Sequence, residues 1–555
     1  KHTLPNFSVV TSSNTVKGPP LTSNNVPSEP SPVECLQIIV FLFFFLAGKA
    51  RKTPERRGST IHSRRDMGSS SGSGQHAVLF PFMAKGHTIP LLHLARLLVH
   101  RSLTVTIFTT PANRPFILNY LADLIMKNTT TSTVGVSVMD LPFPESIDGV
   151  PPGIESTDKL PHISLWLPLA RATHLMQPHF EQALTSLPPV TFMVTDGFLG
   201  WTVHFANKYG IPRLVYYGMS NFASTLSRVA GESGLLWKTQ SADELFAVPN
   251  FPWIKLARND FDESFSDPEP KGPRFEFIID CTVTASMSFG QLVNSFYELE
   301  PVYIDYWNRH YEPKLWSVGP LCLAEPPTPS PEHESSWIDE WLDRKLDQGQ
   351  AVLYVAFGSQ AEISAEQFQE IKSGLERSQV NFLWVVRKNE SQLSDGFEER
   401  VKDRGLIVRE WVDQRKILGH RSVVGFLSHC GWNSVLESIC AKVPILAWPM
   451  MAEQPLNAKL VVEEIKVGVR AETWNGSAKG LVKSEGLEKG VRELMEGTRG
   501  QEVRKKVKEV GEAAMRAVKE GGSSWNTLNQ LLDQLQLHAN RHAQPKFTTT
   551  ATTTI

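Results

Sequence analysis

Residues 411–454 read WVDQRKILGHRSVVGFLSHCGWNSVLESICAKVPILAWPMMAEQ, and the order of apolar runs and turns in this stretch decides the fold. Residues 423–427 are an unbroken apolar run of the length expected for a strand covered on both faces. The run delivers Ser428-His429-Cys430-Gly431-Trp432-Asn433-Ser434 to a turn, and a helix is expected to open behind it at Val435-Leu436-Glu437. Gly431 lets backbone come close to a ligand. Unpaired N–H groups at the start of such a helix, with His429, Asn433 and Ser434 beside them, make a site for phosphate. Residues 445–448 are the next strand, and Glu453 and Gln454 lie just past its end, where a carboxylate with an amide suits the hydroxyls of a sugar. Trp411 offers a flat face for a base.

The same strand–helix–strand grammar runs outward in both directions, which implies parallel sheets covered by helices. Residues 76–82 read as a buried strand, followed by Ala84-Lys85-Gly86-His87 and a helical pattern through Leu91, Leu94, Ala95 and Leu98, then a strand at 103–108. A run at 190–195 ends on Asp196, and 211–216 follows after a helical stretch. Residues 352–357 end in Gly358-Ser359, and Ser364-Ala-Glu-Gln367 has the form of a capping box opening the next helix. Residues 382–386 are another strand. The fold class expected is α/β: two Rossmann-like doubly wound domains facing each other across a cleft, at 75–324 and 332–522, joined by the proline-rich linker 325–331. A last helix, 523–540, carries Trp525, Leu528, Leu531, Leu532 and Leu535 at helical spacing and needs a surface to cover its apolar face. In such sheets ligands bind beyond the carboxyl ends of the strands.

The two ends of the chain read differently. The sequence has 555 residues, 41% hydrophobic and 21% charged, with 56 Lys/Arg against 58 Asp/Glu. That is enough for two domains, and no overall basic excess points to nucleic acid or to a membrane surface. Residues 1–66 carry nine Lys/Arg and four Asp/Glu, a local +5 that leaves −7 for the remainder. They contain no methionine, and one apolar run, 36–47, is too short for the roughly 30 Å core of a bilayer. Residues 1–74 are therefore expected to be a disordered leader, 1–66 of it upstream of a translation start at Met67, and 541–555 a disordered tail. Read as a secretory anchor instead, the run would make Asn128, Asn389 and Asn475 glycosylation sites. Five cysteines in a chain of this length form no disulfide framework and suit a reducing, cytoplasmic compartment.

Residues 411–454 resemble, position for position, the signature box of plant UDP-sugar-dependent glycosyltransferases: the first Trp, the Gln three residues on, Ile-Leu-x-His, His-Cys-Gly-Trp-Asn-Ser, the Glu, Val-Pro, Trp-Pro and the closing Glu-Gln. The likeness extends over about residues 75–537 through the Gly-His turn, the Asp after a buried strand, and the stretches LVNSFYELE and WSVGPL. It implies the GT-B fold, with the acceptor in the N-terminal domain, the donor in the C-terminal one, and the last helix crossing back. It further implies that Trp411 stacks on uracil with Val412 beside it, that Gln414 and Glu437 contact the ribose, and that His429, Asn433, Ser434 and Ser359 hold the diphosphate. Trp432, Glu453 and Gln454 would hold the sugar, and the final Gln resembles members that use UDP-glucose. Lys442 departs from the pattern, standing where the family usually has Gly.

The resemblance assigns the chemistry to His87 and Asp196. A neutral imidazole is a suitable base for an acceptor hydroxyl, and a carboxylate bonded to it would fix its tautomer. The expected course is a single inverting displacement with a UDP-sugar co-substrate, a small apolar or phenolic acceptor such as a flavonoid, no further cofactor, no metal, no nucleic acid partner, no stable membrane anchor, and a monomeric protein. Phe82, Trp166, Phe198, Trp201 and Phe222 suit either a flat aglycone or the core. Other readings have less to stand on. Asp260-Phe261-Asp262 is formally a metal-binding DxD but lies in a polar loop expected to be solvated, and His429-Cys430 with His420 has no second pair to complete a zinc site. Gly68–Gly72 matches G-x-S-x-G with no strand before it. No G-x-G-x-x-G follows Phe82 or Phe357. A nucleotide-sugar binding protein without turnover is opposed by the presence of His87, Asp196 and Glu453-Gln454 together. Ser434-x-x-Glu437, taken alone, is a capping box.

Overall fold

A computed structural model describes residues 74–127, 135–265, 267, 269–324, 337–386, 393 and 395–543. The leader 1–73, the 325–331 linker, Asn128, Asn389, the Gly68–Gly72 match and the tail from 544 lie outside the described residues.

The first half forms strands β1 (His76–Phe80), β2 (Thr104–Thr109), β3 (Val136–Asp140), β4 (Phe192–Asp196), β5 (Arg213–Tyr217), a small antiparallel pair β6 (Phe246–Val248) and β7 (Phe251–Leu256), then β8 (Gly290–Val293) and β9 (Leu315–Ser317). Seven of these make one parallel sheet in the order β3-β2-β1-β4-β5-β8-β9. The second half forms β10 (Val352–Ala356), β11 (Asn381–Val385), β12 (Gly405–Val408), β13 (Val423–Ser428), β14 (Ile445–Ala447) and β15 (Gly468–Arg470), parallel in the order β12-β11-β10-β13-β14-β15. Both are doubly wound α/β sheets, and the strands come from the continuous apolar runs of the sequence because both faces are covered. The five residues of β1 and of β10 are buried without exception.

Each sheet reverses its winding once: between β1 and β4 in the first and between β10 and β13 in the second. Those two reversals open crevices beyond the strand carboxyl ends, where ligands bind in this architecture. His87 follows β1 and Asp196 ends β4; Gly358-Ser359 follow β10 and His429 follows β13. The topology alone therefore carries the chemistry-bearing residues of both halves to switch points.

The helix Ser523–Ala543 buries Leu528, Leu531, Leu532 and Leu535, a spacing of 3, 4 and 7 that makes one stripe. The stripe packs into the core of the first sheet with Leu91, Leu94, Leu98 and Leu292. Ser524 Oγ donates to Gly319 O at 2.5 Å, and Arg101 Nε to Asn529 Oδ1 at 3.0 Å. Burial at about 2 kcal/mol per leucine gives the chain reason to return across both domains.

Some local expectations need correction. The helix behind β13 starts at Trp432, not Val435, with Gly431 as N-cap. Ser434 is thus inside the first turn and Ser434-x-x-Glu437 is no capping box. Ser364 does cap its helix, accepting from Gln367 N, but the Gln367 side chain turns away to Val482 instead of closing the box. Asp260-Phe261-Asp262 is not solvated: Asp260 and Phe261 are buried, Asp260 accepts from Ala257 N at 2.8 Å with Lys459 at 3.8 Å, and Asp262 pairs with Arg274 at 2.7 Å. Apolar neighbours drew this segment in, and the carboxylates meet Lys459 and Arg274.

Candidate active site

His87 sits in the first turn of the helix Lys85–His100, placed by the tight turn after β1. Its Nδ1 lies 2.7 Å from Asp196 Oδ2. Asp196 is fully buried, and its other oxygen accepts from Phe198 N at 2.9 Å. Both carboxylate oxygens are thus occupied, one by backbone that fixes the carboxylate and one by the imidazole. With Nδ1–H committed to Asp196, Nε2 is left as the acceptor. Burial pulls the His87 pKa down, while the charge and hydrogen bond of Asp196 and the charge of Glu453 push it up; the upward group wins, so it stands above 6.5.

Aromatic rings surround this pair. Phe82 and Phe198 lie 5.7 and 5.3 Å from the His87 ring, and Trp166 stacks on Phe198 at 5.5 Å, with Phe277 edge-on to both. Trp201 and Phe222 are core residues instead. Trp201 packs on Phe80 and Phe180, and Phe222 on Tyr303.

In the second half, the ten-residue helix Trp432–Ala441 points its N-terminus at the crevice with no acidic residue in its first turn. Its free N–H groups and dipole favour an anion there. The His429 ring is wedged between two glycines: a Cβ on Gly358 would come within 2.7 Å of His429 Nε2, and one on Gly431 within 2.5 Å. Gly358 also holds φ +79°, a left-handed conformation that favours glycine. Burial pushes His429 down to about 4, against a weak contact with the Ala356 backbone, so it is neutral near pH 7. Ser359 is half-buried beside it.

Trp411 is 51% exposed at the crevice rim, whereas the Val412 side chain is buried under β10 and β13. Gln414 opens a helix capped by Asp413. Its Nε2 donates to Ser434 Oγ at 2.9 Å and to Glu437 Oε2 at 2.7 Å, and Tyr354 OH donates to its Oε1 at 3.4 Å. Burial raises Glu437 to about 7, against the hydrogen bond from Gln414. Glu453 is likewise raised by burial, with the charge of His87 acting the other way. Gln454 Oε1 accepts from Met450 N and Met451 N, both at 3.0 Å, leaving its N–H groups for other partners.

Two of the sequence-named residues join the halves. Trp432 is 1% exposed, and its Nε1 donates to Asn294 O at 2.7 Å. Asn433 Nδ2 donates to Gly86 O, next to His87, at 2.6 Å. Sequence reading missed their partners. Asn294 Nδ2 donates to Asn433 Oδ1 at 3.3 Å. Asn457, fully buried, donates to Cys430 O and Glu453 Oε1 and accepts from Ser220 Oγ. Asn457 lies one helical turn after Glu453, a spacing that puts both on one face. Asn294 and Ser220 have no such signal. Lys442 caps its helix at φ 62°, ψ 31°, in the left-handed region.

Among the described residues no cluster of His, Cys, Asp or Glu is arranged to hold a metal ion, and no helix is long and apolar enough to cross a membrane.

Residues 331–502 match the family model for UDP-glucoronosyl and UDP-glucosyl transferase. UDP-glycosyltransferase 90A1 of Arabidopsis thaliana is 52% identical over 477 residues, spanning 84% of this chain and 98% of the relative. UDP-glycosyltransferase 73C10 of Barbarea vulgaris is 37% identical over 485 residues, 83% of this chain and 96% of the relative. Among solved structures, Glycyrrhiza uralensis UGT73P12 complexed with glycyrrhetinic acid 3-O-monoglucuronide superposes with TM-score 0.74 at 30% identity, covering 85% of this chain and 97% of that one. Phytolacca americana UGT2 complexed with UDP-2fluoro-glucose and pterostilbene gives 0.67 at 29%, covering 83% and 100%.

Proposed function

The chain belongs to the plant UDP-glycosyltransferase family, and from that premise we propose that it moves a hexose, glucose from UDP-glucose, to a hydroxyl of a small lipophilic acceptor such as a flavonoid or another phenolic. The observation that carries the reading is the 2.7 Å bond between His87 Nδ1 and Asp196 Oδ2. It orients the free Nε2 as a base for the acceptor hydroxyl, and the carboxylate stabilises the imidazolium formed when the proton arrives. The acceptor oxygen attacks C1 of the α-linked sugar as UDP leaves, giving a β-glycoside by one inverting displacement. The leaving diphosphate is received by the start of the Trp432–Ala441 helix with His429, Asn433, Ser434 and Ser359. A neutral His429, as its low pKa makes it, can donate to a phosphate oxygen. Trp411 stacks on the uracil beside Val412, Gln414 and Glu437 take the ribose, and Glu453, Gln454 and Trp432 take the sugar. Phe82, Phe198 and Trp166 receive the aglycone. The pterostilbene and donor analogue held by the Phytolacca americana protein support this choice of ligands.

The reaction uses no metal ion and no cofactor beyond the donor, and the protein works as a cytoplasmic monomer. Mass spectrometry of incubations with UDP-glucose, UDP-glucuronate or UDP-galactose and a panel of phenolics tests the substrates. A hexose increment with UDP-glucose, unaffected by EDTA, is expected; transfer only from another UDP-sugar, or loss of activity in EDTA, rejects the corresponding part. His87→Ala should abolish O-transfer while UDP still binds, and near-normal turnover of that variant would sink the assignment.

A further inference from the structure

Arg213, the first residue of β5, is 2% exposed, and none of the salt bridges among the described residues includes it. A buried cation is costly to desolvate, and what holds it inside is the set of buried acceptors its donors satisfy. In the β4–β5 register Arg213 stands opposite Met193, and alternation puts its side chain on the same face as Thr195, next to Asp196. Nε donates to Thr195 Oγ1 at 2.7 Å and Thr202 Oγ1 at 3.1 Å, one terminal nitrogen to Ser288 Oγ at 2.7 Å, and the other to Asp196 O at 3.3 Å. The two hydroxyls are 2.7 Å apart, and Thr202 Oγ1 donates onward to Leu199 O at 2.6 Å. Leu199 closes the turn Gly197–Leu199, whose Phe198 N–H holds the Asp196 carboxylate. The guanidinium thus bonds the Asp196 backbone directly and, through the Thr202 hydroxyl, the turn that holds its carboxylate, without touching the carboxylate.

We propose that Arg213 is a positioning residue for glycosyl transfer, its rigid fork holding Asp196, and through it His87, in the geometry that makes His87 a base. The inference rests on the reading of His87 given above. Burial lowers Arg213 to about 10, so it stays charged at working pH. The other ionisable groups acting on it are Asp196 and Tyr217 on the strands and Cys281 on the helix Pro273–Ser286; those facing His87 are Asp196 and Glu453.

Two variants keep the charge and loosen the grip: Arg213→Lys loses the planar fork, and Thr202→Val breaks the hydroxyl relay. With Asp196 less tightly held, what raises the His87 pKa weakens. The acidic limb of the pH–kcat profile should move to lower pH, kcat should fall by about 10- to 100-fold, and the KM for UDP-sugar should stay unchanged. Added to Asp196→Asn, either change should cost nothing further. A wild-type limb and kcat in both variants overturns the proposal. So does an equal loss in the Asp196→Asn background, since Arg213 would then act through the fold at large. If His87→Ala is inactive while the Arg213 and Thr202 variants behave as wild type, this inference fails alone. If His87→Ala is active, the underlying reading fails with it.

Discussion

Asp196→Asn is the sharpest single perturbation of the site. The amide keeps an oxygen to accept from Phe198 N, so the 2.9 Å backbone contact and the turn survive. Its NH2 then faces His87 Nδ1 across the 2.7 Å that the carboxylate oxygen spanned. Two donors cannot meet there, so the imidazole must take the tautomer with Nε2 protonated, and Nε2 can no longer accept the substrate proton. Positioned general bases contribute about 10²–10⁴-fold, so kcat should fall by that factor, roughly 3–5 kcal/mol at 1.36 per decade. UDP affinity should be unchanged, because the donor residues belong to the other sheet. The pH profile supplies a signed check. His87 is active when neutral, and Asp196 and Glu453 raise its pKa against the effect of burial, so kcat should fall on the acid side as His87 takes up its proton. Without the Asp196 charge, burial is opposed only by Glu453, and the limb should move down. Initial rates across pH 5–9 with saturating donor, together with UDP titration, give both readings. A kcat within tenfold of wild type, or a limb that moves up, would falsify the base assignment.

Other expectations follow from the donor side and from a strained cap. Gly358→Ala drives a Cβ to 2.7 Å from His429 Nε2 at a backbone φ of +79°, so the donor KM should rise at least tenfold while acceptor KM holds, as measured by UDP-release kinetics. Glu437 is raised to about 7 by burial, and its ionised form is the acceptor for ribose hydroxyls. UDP binding by calorimetry should therefore tighten as pH rises through about 7, and Glu437→Gln should remove that dependence; a dependence that persists assigns it to another group. Lys442→Gly relieves a left-handed residue at a cost of about 1–2 kcal/mol, set against roughly 0.5–1 for the greater freedom of glycine when unfolded. Loss of the exposed Glu512 contact at 3.8 Å is nearly neutral. A gain of about 0.5–1 kcal/mol in chemical denaturation is expected, and a lower midpoint would contradict it.

The sheets were legible because a parallel strand covered on both faces leaves a continuous apolar run, and the turns between such runs are marked by Gly, Asn and Asp. That is why 352–357 and 423–427 anticipated β10 and β13 to within a residue or two. The start of the helix at Trp432 was misread for a physical reason. Trp432, Val435, Leu436 and Ile439 form one buried stripe at helical spacing, but the N-cap is Gly431, with no capping side chain to mark the start, and Asn433-Ser434 look like a turn. The loop at Asp260-Phe261-Asp262 was misread for a related reason: its charge density predicts solvent, but Phe261 is an anchor and Lys459 and Arg274 arrive from remote positions.

The site was legible in its residues and not in its joinery. Topology brings His87 and Asp196 together across 109 positions because the first sheet reverses between β1 and β4, and a reader who finds the βαβ units can place that reversal. Nothing local announces that Asn433 reaches Gly86 O, or that the Trp432 indole ends on Asn294 O. These bonds cross between two sheets whose relative placement no periodicity encodes. Their chemistry still says something about the crevice. The turn that carries His87 and the helix start that would receive a diphosphate are joined directly by one amide. Trp432 fills the boundary just behind them with a buried ring and a satisfied N–H, which excludes water from that junction. A base in one domain and a leaving-group site in the other can act on a single bond only if their separation is set, and Asn433 and Trp432 are the contacts nearest the site among those that set it, with Ser220–Asn457 and Gln360–Thr157 further along the junction.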